Sequence, residues 1–263
     1  MRRFPSDFSQ LLTPLGQRVL AGKAPEFRSL FKRSKTPFAV LEPMIDTDKA
    51  RACTRLLDRH LYHLLSAESH RIPADSISGM RENYSESLEK IMKFKTSLLH
   101  RRGTPAYRAA EALGMMAMME SEGLAAFAEA VSGLPLERPA GVQVICYEHG
   151  DYVGPHNDHH PEDDPTRLGY VDVHVMFCND AVAHQFLIYE QERHLSQIVD
   201  VNMDAGISIY KLPFWHHVTP LVGKPGRESG ARRWLLLGTF DIDHAKVRSR
   251  RKRPHKKRLQ AGR

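Results

Sequence analysis

No run of 18 or more apolar residues occurs in the chain, so no segment reads as a transmembrane helix and no membrane partner is expected. Cysteine is scarce: Cys53, Cys146 and Cys178 are far apart and odd in number. They form neither a disulfide framework nor a CxxC metal pair, and buried or free thiols in a reducing cytoplasm are expected. Neither GxGxxG nor a phosphate-binding GxxxxGK[ST] loop is present, which removes the commonest nucleotide signatures. There is no internal repeat. The arginines of MRRFPSDFSQ have no apolar stretch behind them, so no secretory signal is expected.

What is present is a chain of 263 residues with 41% hydrophobic side chains, enough for one large domain with a proper core. Its net charge of +7 is concentrated at one end. Residues 246–263 hold ten Lys or Arg and no acid, and without them 28 basic residues face 31 acidic ones. The body is therefore mildly acidic. The tail has too few apolar residues to anchor it and is expected to be disordered when free, a candidate arm for nucleic acid or the ribosome.

Residues 1–135 read as a mostly helical region. From Asp46 to about Ser69, Ala50, Cys53, Leu56, Leu57, Leu61, Leu64 and Leu65 recur at three- and four-residue intervals, which predicts one amphipathic helix with Asp46 as its N-cap. A second helix is predicted from Pro105 to about Ser132, with Met115, Met116, Met118 and Met119 as core packing. A third is predicted over 81–100, after a loop at 72–82. Beyond Leu134–Pro139 come short runs rich in β-branched and aromatic residues: Val142–Tyr147, Tyr170–Phe177, Gln185–Tyr189, Gln197–Val201, Gly206–Leu212 and Trp234–Phe240. Turn residues separate them, as in a sandwich or barrel. The expected organisation is α+β: a helical part over 1–135 packed on a jelly-roll core over 136–245, followed by the basic tail over 246–263.

The chemistry-bearing segment is Tyr147–Asp158, YEHGDYVGPHND. His156 and Asp158 are separated by one residue, and on an extended strand such residues share a face. An imidazole and a carboxylate suit a borderline divalent ion, and a second imidazole would complete a two-histidine, one-carboxylate triad of the kind that holds iron(II) with positions left open. WHHVTP, from Trp215 to Pro220, offers His216 and His217, which face opposite ways on a strand. Arg232 and Arg233 open the last apolar run, and a guanidinium can bond a carboxylate in bidentate fashion. His174 and His184 lie in or near strands and are candidates to line a cavity. His159 and His160 read as part of a solvated loop.

Tyr-x-x-Gly-Asp-x-x-x-x-His-x-Asp, followed about sixty residues later by His-x-Val-x-Pro and then by an Arg opening a final strand, resembles the prolyl-hydroxylase-like branch of the iron(II)/2-oxoglutarate dioxygenases. The matching residues are Tyr147, Gly150, Asp151, His156, Asp158, His216, Val218, Pro220 and Arg233, within roughly 140–242. The resemblance implies a double-stranded β-helix core, Fe(II) and 2-oxoglutarate as cofactors with ascorbate as a reductant, and hydroxylation as the reaction. It selects His216 over His217 and favours Arg233 over Arg232, because Gly238 follows Arg233 by five. It also places Tyr147 in the cosubstrate pocket. Two departures stand out. Phe177-Cys178-Asn179 occupies the place of a Tyr-Leu-Asn, and His184-Gln185 that of a Gly-Gly pair, which leaves open how the far carboxylate is held and argues against a prolyl substrate. A protein side chain, an amino acid or a natural-product intermediate all suit the reading. Two alternatives remain at this level: a cupin-type metal enzyme that does not use 2-oxoglutarate, and a nucleic-acid-binding protein acting through its tail.

Overall fold

The computed structural model describes residues 2–34, 38–71, 91–158, 169–191, 194–200, 205–212, 215–243 and 245–247. The expected loop at 72–82, residues 81–90 of the third predicted helix, His159, His160 and residues 248–263 of the tail lie outside them. Six α-helices are described: α1 (Pro14–Leu20), α2 (Leu30–Ser34), α3 (Thr47–His60), α4 (Pro105–Ala112), α5 (Met115–Met119) and α6 (Glu122–Ser132). The strands are β1 (Phe38–Leu41), β2 (Ser66–Arg71), β3 (Ile91–Leu98), β4 (Leu136–Glu148), β5 (Tyr152–His156), β6 (Tyr170–Cys178), β7 (Val182–His184), β8 (Phe186–Gln191), β9 (His194–Asp200), β10 (Ala205–Leu212), β11 (His216–Val218), β12 (Val222–Gly223) and β13 (Arg232–Ile242). One curled antiparallel sheet runs β1-β10-β6-β13-β4-β3-β5-β11-β8-β9, with β2 beside β3, and β12 pairs with β7 separately. This is the jelly-roll core expected from the spacing of the short strands.

The helical half of the chain departs from its reading in three places. The helix begun at Asp46 is real, and the Asp46 carboxylate accepts from the Lys49 N–H at 3.0 Å. It stops at His60, however, and Ser66–Arg71 is a strand paired with β3. The leucine period runs on through a single 3₁₀ turn, Tyr62–Leu64, after which sheet pairing overrides helical spacing. The helix predicted from Pro105 is three helices. Gly114 sits at φ +78°, a left-handed conformation that ends α4, and Ser121 caps α6 by accepting from the Leu124 N–H at 3.3 Å. Residues 91–98 are a strand between β4 and β5, not helix. The N-terminal region thus adds β1, β2 and β3 to the sheet. The four methionines of α5 are buried as core, and all three cysteines are buried, none of them in a disulfide. No helix among the described residues is long and apolar enough to cross a membrane.

Strand parity sorts the sheet into two faces. On β6, Val171, Val173, Val175 and Phe177 pack with Leu57, Leu124 and Phe127 in a core shared with the helices. Tyr170, Asp172, His174 and Met176 point the other way. The same alternation on β13 sends Trp234, Leu236 and Gly238 to the helices, and Arg233, Leu235, Leu237 and Thr239 to the concave side. An added Cβ at Gly238 would meet the Met119 side chain at 3.5 Å, an ordinary contact, so α5 packs against this point of the sheet. Replacing the α3 cap, Asp46→Ala, is expected to cost about 1 kcal/mol, read as a lower urea midpoint with an unchanged slope.

Candidate metal centre and its cavity

His156, Asp158 and His216 converge at one end of the concave face. One ligand atom of each lies within 4.8 Å of the others. His156 Nε2 is 3.3 Å from one Asp158 carboxylate oxygen, and His216 Nε2 is 3.3 Å from the other. Both imidazoles are buried, while Asp158 is partly open. The His156 Nδ1–H donates to the Gly154 carbonyl at 2.7 Å, the bond that leaves Nε2 as the lone-pair donor. Two imidazole nitrogens and one carboxylate on the same side of a cavity fit a divalent transition ion and leave its other side free.

The way the three meet differs from simple strand alternation. His156 is the last residue of β5, and Asp158 lies past its end at φ +49°, in the left-handed region that aspartate tolerates better than most residues. The Tyr170 hydroxyl holds that turn by donating to the Asp158 carbonyl at 2.8 Å. Across the sheet His216 is the register partner of His156, but Val218 pairs with Val153, so three residues of β5 span two of β11. This bulge shifts the parity of β5, and both Val153 and His156 line the cavity. His216 and Val218 face the cavity as well. His217, between them, does not line it, and burial followed by the nearby His156 lowers its pKa. Gly150 and Asp151 build the β4–β5 turn: Gly150 is at φ +81°, and Asp151 Oδ2 accepts from the Glu148 N–H at 2.9 Å. Leu221 clamps that turn, its N–H donating to the Asp151 carbonyl and its carbonyl accepting from the Gly150 N–H.

The triad opens into a cavity of about 530 Å³, with Leu187, Val218, Val153, Ile145 and Leu235 among its walls. Arg233 lies on the same wall lining and is only 1% exposed. Its Nη1 donates to Gln185 Oε1 at 3.1 Å and its Nη2 lies 2.9 Å from Met176 Sδ, while Nε has no partner. No carboxylate among the described residues is paired with it. Arg232, next in sequence, faces the opposite side. It lies 3.9 Å from the Tyr62 ring and within ion-pair distance of Asp58 and Glu148. Those acids also bind Trp234, Tyr62 and Lys95, so Arg232 belongs to a network that ties α3 to the outer face of the sheet. Tyr147 lines the cavity with its ring 5.3 Å from the Arg233 guanidinium carbon, and burial pushes its hydroxyl pKa up to about 12.

In the sequence Gln185 opens a strand-like run and stands where the family pattern has a Gly-Gly pair. It is fully buried, and its amide donates to the Thr219 carbonyl at 2.9 Å while its oxygen meets Arg233. A lone glutamine before a strand gave no signal of this role. Phe177 sits in the helical core rather than the cavity, so its missing hydroxyl takes nothing from the cavity wall. His174 does line the cavity; it contacts the Tyr210 hydroxyl, and burial, then Arg233, holds it neutral with a pKa well below the usual histidine range. His184 is not among the lining residues.

No protein-family model matches the chain, and no curated protein matches it in sequence. Among solved structures, the chain is similar to an oxidoreductase of the 2OG-Fe(II) oxygenase family from Burkholderia pseudomallei, with a TM-score of 0.51 at 10% identity over 83% of this chain and 90% of that one. It is similar also to SnoK, a non-heme alpha-ketoglutarate-dependent carbocyclase from nogalamycin biosynthesis, with a TM-score of 0.50 at 9% identity over 81% and 83%. At these identities the likeness is one of fold, and the fold is the double-stranded β-helix.

Proposed function

We propose that the protein is an iron(II)- and 2-oxoglutarate-dependent oxygenase. The carrying observation is Arg233: a guanidinium buried to 1% exposure, without a carboxylate partner among the described residues, on the wall of the cavity that holds His156, Asp158 and His216. Burying an uncompensated cation costs several kcal/mol, so its retention fits an anionic ligand that arrives later. The far carboxylate of a 2-oxo acid suits the guanidinium fork, and its other end suits the open side of the metal.

In this reading His156, Asp158 and His216 hold the ion. Bound iron supplies the chemistry of oxygen activation coupled to 2-oxo acid decarboxylation. Arg233 receives the distal carboxylate, and Gln185 holds the guanidinium in place from behind. Leu187, Val218, Val153, Ile145 and Leu235 keep water from the charges between them, which strengthens each electrostatic contact. Tyr147 stays a neutral phenol beside Arg233, able to donate a hydrogen bond to a carboxylate.

The test is the binding of 2-oxoglutarate to protein loaded with Mn(II), followed by calorimetry, and succinate formation with iron(II), ascorbate and oxygen. Gln185→Glu sharpens it, because the isosteric change supplies an internal carboxylate against Arg233. Affinity for 2-oxoglutarate is expected to fall at least tenfold in that variant while metal content stays at the wild-type level. Absence of 2-oxoglutarate binding to the metal-loaded wild type would end the proposal.

A further inference from the structure

The opposite part of the cavity from Arg233 is acidic. Asp172, on β6, is 6% exposed and lines the cavity, and its Oδ1 has no hydrogen-bond partner among the described residues. Its register partners are Tyr210 on β10 and Thr239 on β13, and the Thr239 hydroxyl bonds the carboxyl. Asp241, two residues further along β13, is exposed and also borders the cavity. The other titratable groups of the lining are Asp158, His174, Tyr210, Tyr170, Tyr147, the two metal-centre histidines and Arg233. Arg233 is the one Lys or Arg among the lining residues described.

A charge balance follows from the oxygenase reading, on which this inference rests. A divalent ion and Arg233 together offset Asp158 and the two carboxylates of 2-oxoglutarate. Asp172 and Asp241 are then left without a counter-charge in the remaining space, beside the polar groups of Thr239, Tyr170 and Gln143. A buried carboxyl on a cavity wall, with one oxygen lacking a hydrogen-bond partner among the described residues, is either a permanent cost or a binding group. Burial, with the Asp158 charge adding to it and the Thr239 hydrogen bond opposing, pushes the Asp172 pKa up to about 8, so an incoming cation would displace its proton and find a carboxylate in a low-dielectric wall.

We infer that the substrate carries an amine or guanidine group, recognised by Asp172 on the inner wall and by Asp241 at the rim. Such a group can come from a free polyamine-like molecule or from a lysine or arginine side chain in a peptide. The charge requirement is the same for both.

Calorimetric titration of the full chain, loaded with Mn(II) and 2-oxoglutarate, separates these sources. One arm uses cadaverine and agmatine, with diacetylcadaverine as the neutral counterpart. The other uses blocked Gly-Lys-Gly and Gly-Arg-Gly peptides, with acetyllysine and citrulline in the neutral versions. At least one cationic arm is expected to bind tenfold or more tightly than its neutral counterpart. Asp172→Asn should erase that difference, and Asp241→Asn, at an exposed position that puts the fold at little risk, should reduce it. Equal binding of charged and neutral probes, no binding of any cation, or discrimination that survives Asp172→Asn would overturn the inference. 2-Oxoglutarate is titrated separately into each protein. Its failure to bind wild type would count against the oxygenase itself, whereas its normal binding together with indifference to charge would count only against the cationic substrate.

Discussion

Replacing Arg233 by methionine is expected to make the ligand-free protein more stable and to remove its affinity for 2-oxoglutarate. The two effects have one cause. Arg233 is buried, and among the described residues it bonds the neutral Gln185 and lies near a thioether sulfur, with Nε unpartnered. A methionine of similar length fills the space without the desolvation cost of the charge. Part of the gain is offset because Gln185 Oε1 loses its donor, a loss of about 1 kcal/mol. A net stabilisation of about 1–2 kcal/mol remains, or a melting temperature higher by several degrees. Binding responds in the opposite direction. A carboxylate brought against this wall would be buried without a partner, at a cost of about 3 kcal/mol or more, over a hundredfold in Kd. Calorimetry and thermal unfolding read both signs on the same sample. Affinity within threefold of wild type would mean that Arg233 is not the partner of the far carboxylate. Loss of stability in the ligand-free variant would mean that Arg233 has a counter-charge in the free protein.

His216→Ala is expected to lose the metal, and His217→Ala to keep it. The adjacent imidazoles differ in the side of the strand they occupy. His216 is paired with His156 across β11 and β5 and is 3.3 Å from Asp158, whereas His217 stands outside the lining of the cavity. Removing an outer-sphere partner of a ligand costs about 10–100-fold in metal affinity, and removing the ligand itself should cost more than that. Metal content after dialysis against a weak chelator, measured on both variants and wild type, decides the point. Equal retention by all three would dissolve the triad. Loss in His217→Ala with retention in His216→Ala would reverse the parity of β11.

The strands of the core were legible because their chemistry is local. β6 and β10 alternate or run apolar in Val, Ile and Tyr between turn residues, and β13 does the same in Trp, Leu and Phe. The N-terminal half misled for the same local reason. Leu61, Leu64 and Leu65 keep a helical interval, yet the backbone leaves the helix once β3 offers an edge to pair with. Three- and four-residue spacing records which side chains are to be buried. It does not record whether the hydrogen bonds come from the same segment or from a strand distant in the chain.

Sequence by itself determined the candidate donors and their order: His156 and Asp158 one residue apart, a second imidazole about sixty residues on, and an arginine pair opening the last strand. Those are matters of ligand chemistry, which residue type alone carries. Only the tertiary structure decided which of each pair faces inward. Closure of the sheet sets Arg233, not Arg232, on the concave side. A one-residue bulge in β5, together with a left-handed turn at Asp158, brings His156 and Asp158 to the same point as His216. Only the structure brought Gln185 against Arg233 and placed Asp172 in the cavity wall. Register and bulges depend on how strands from distant parts of the chain close on one another, and a side-chain period of two has no way to express a shift of one.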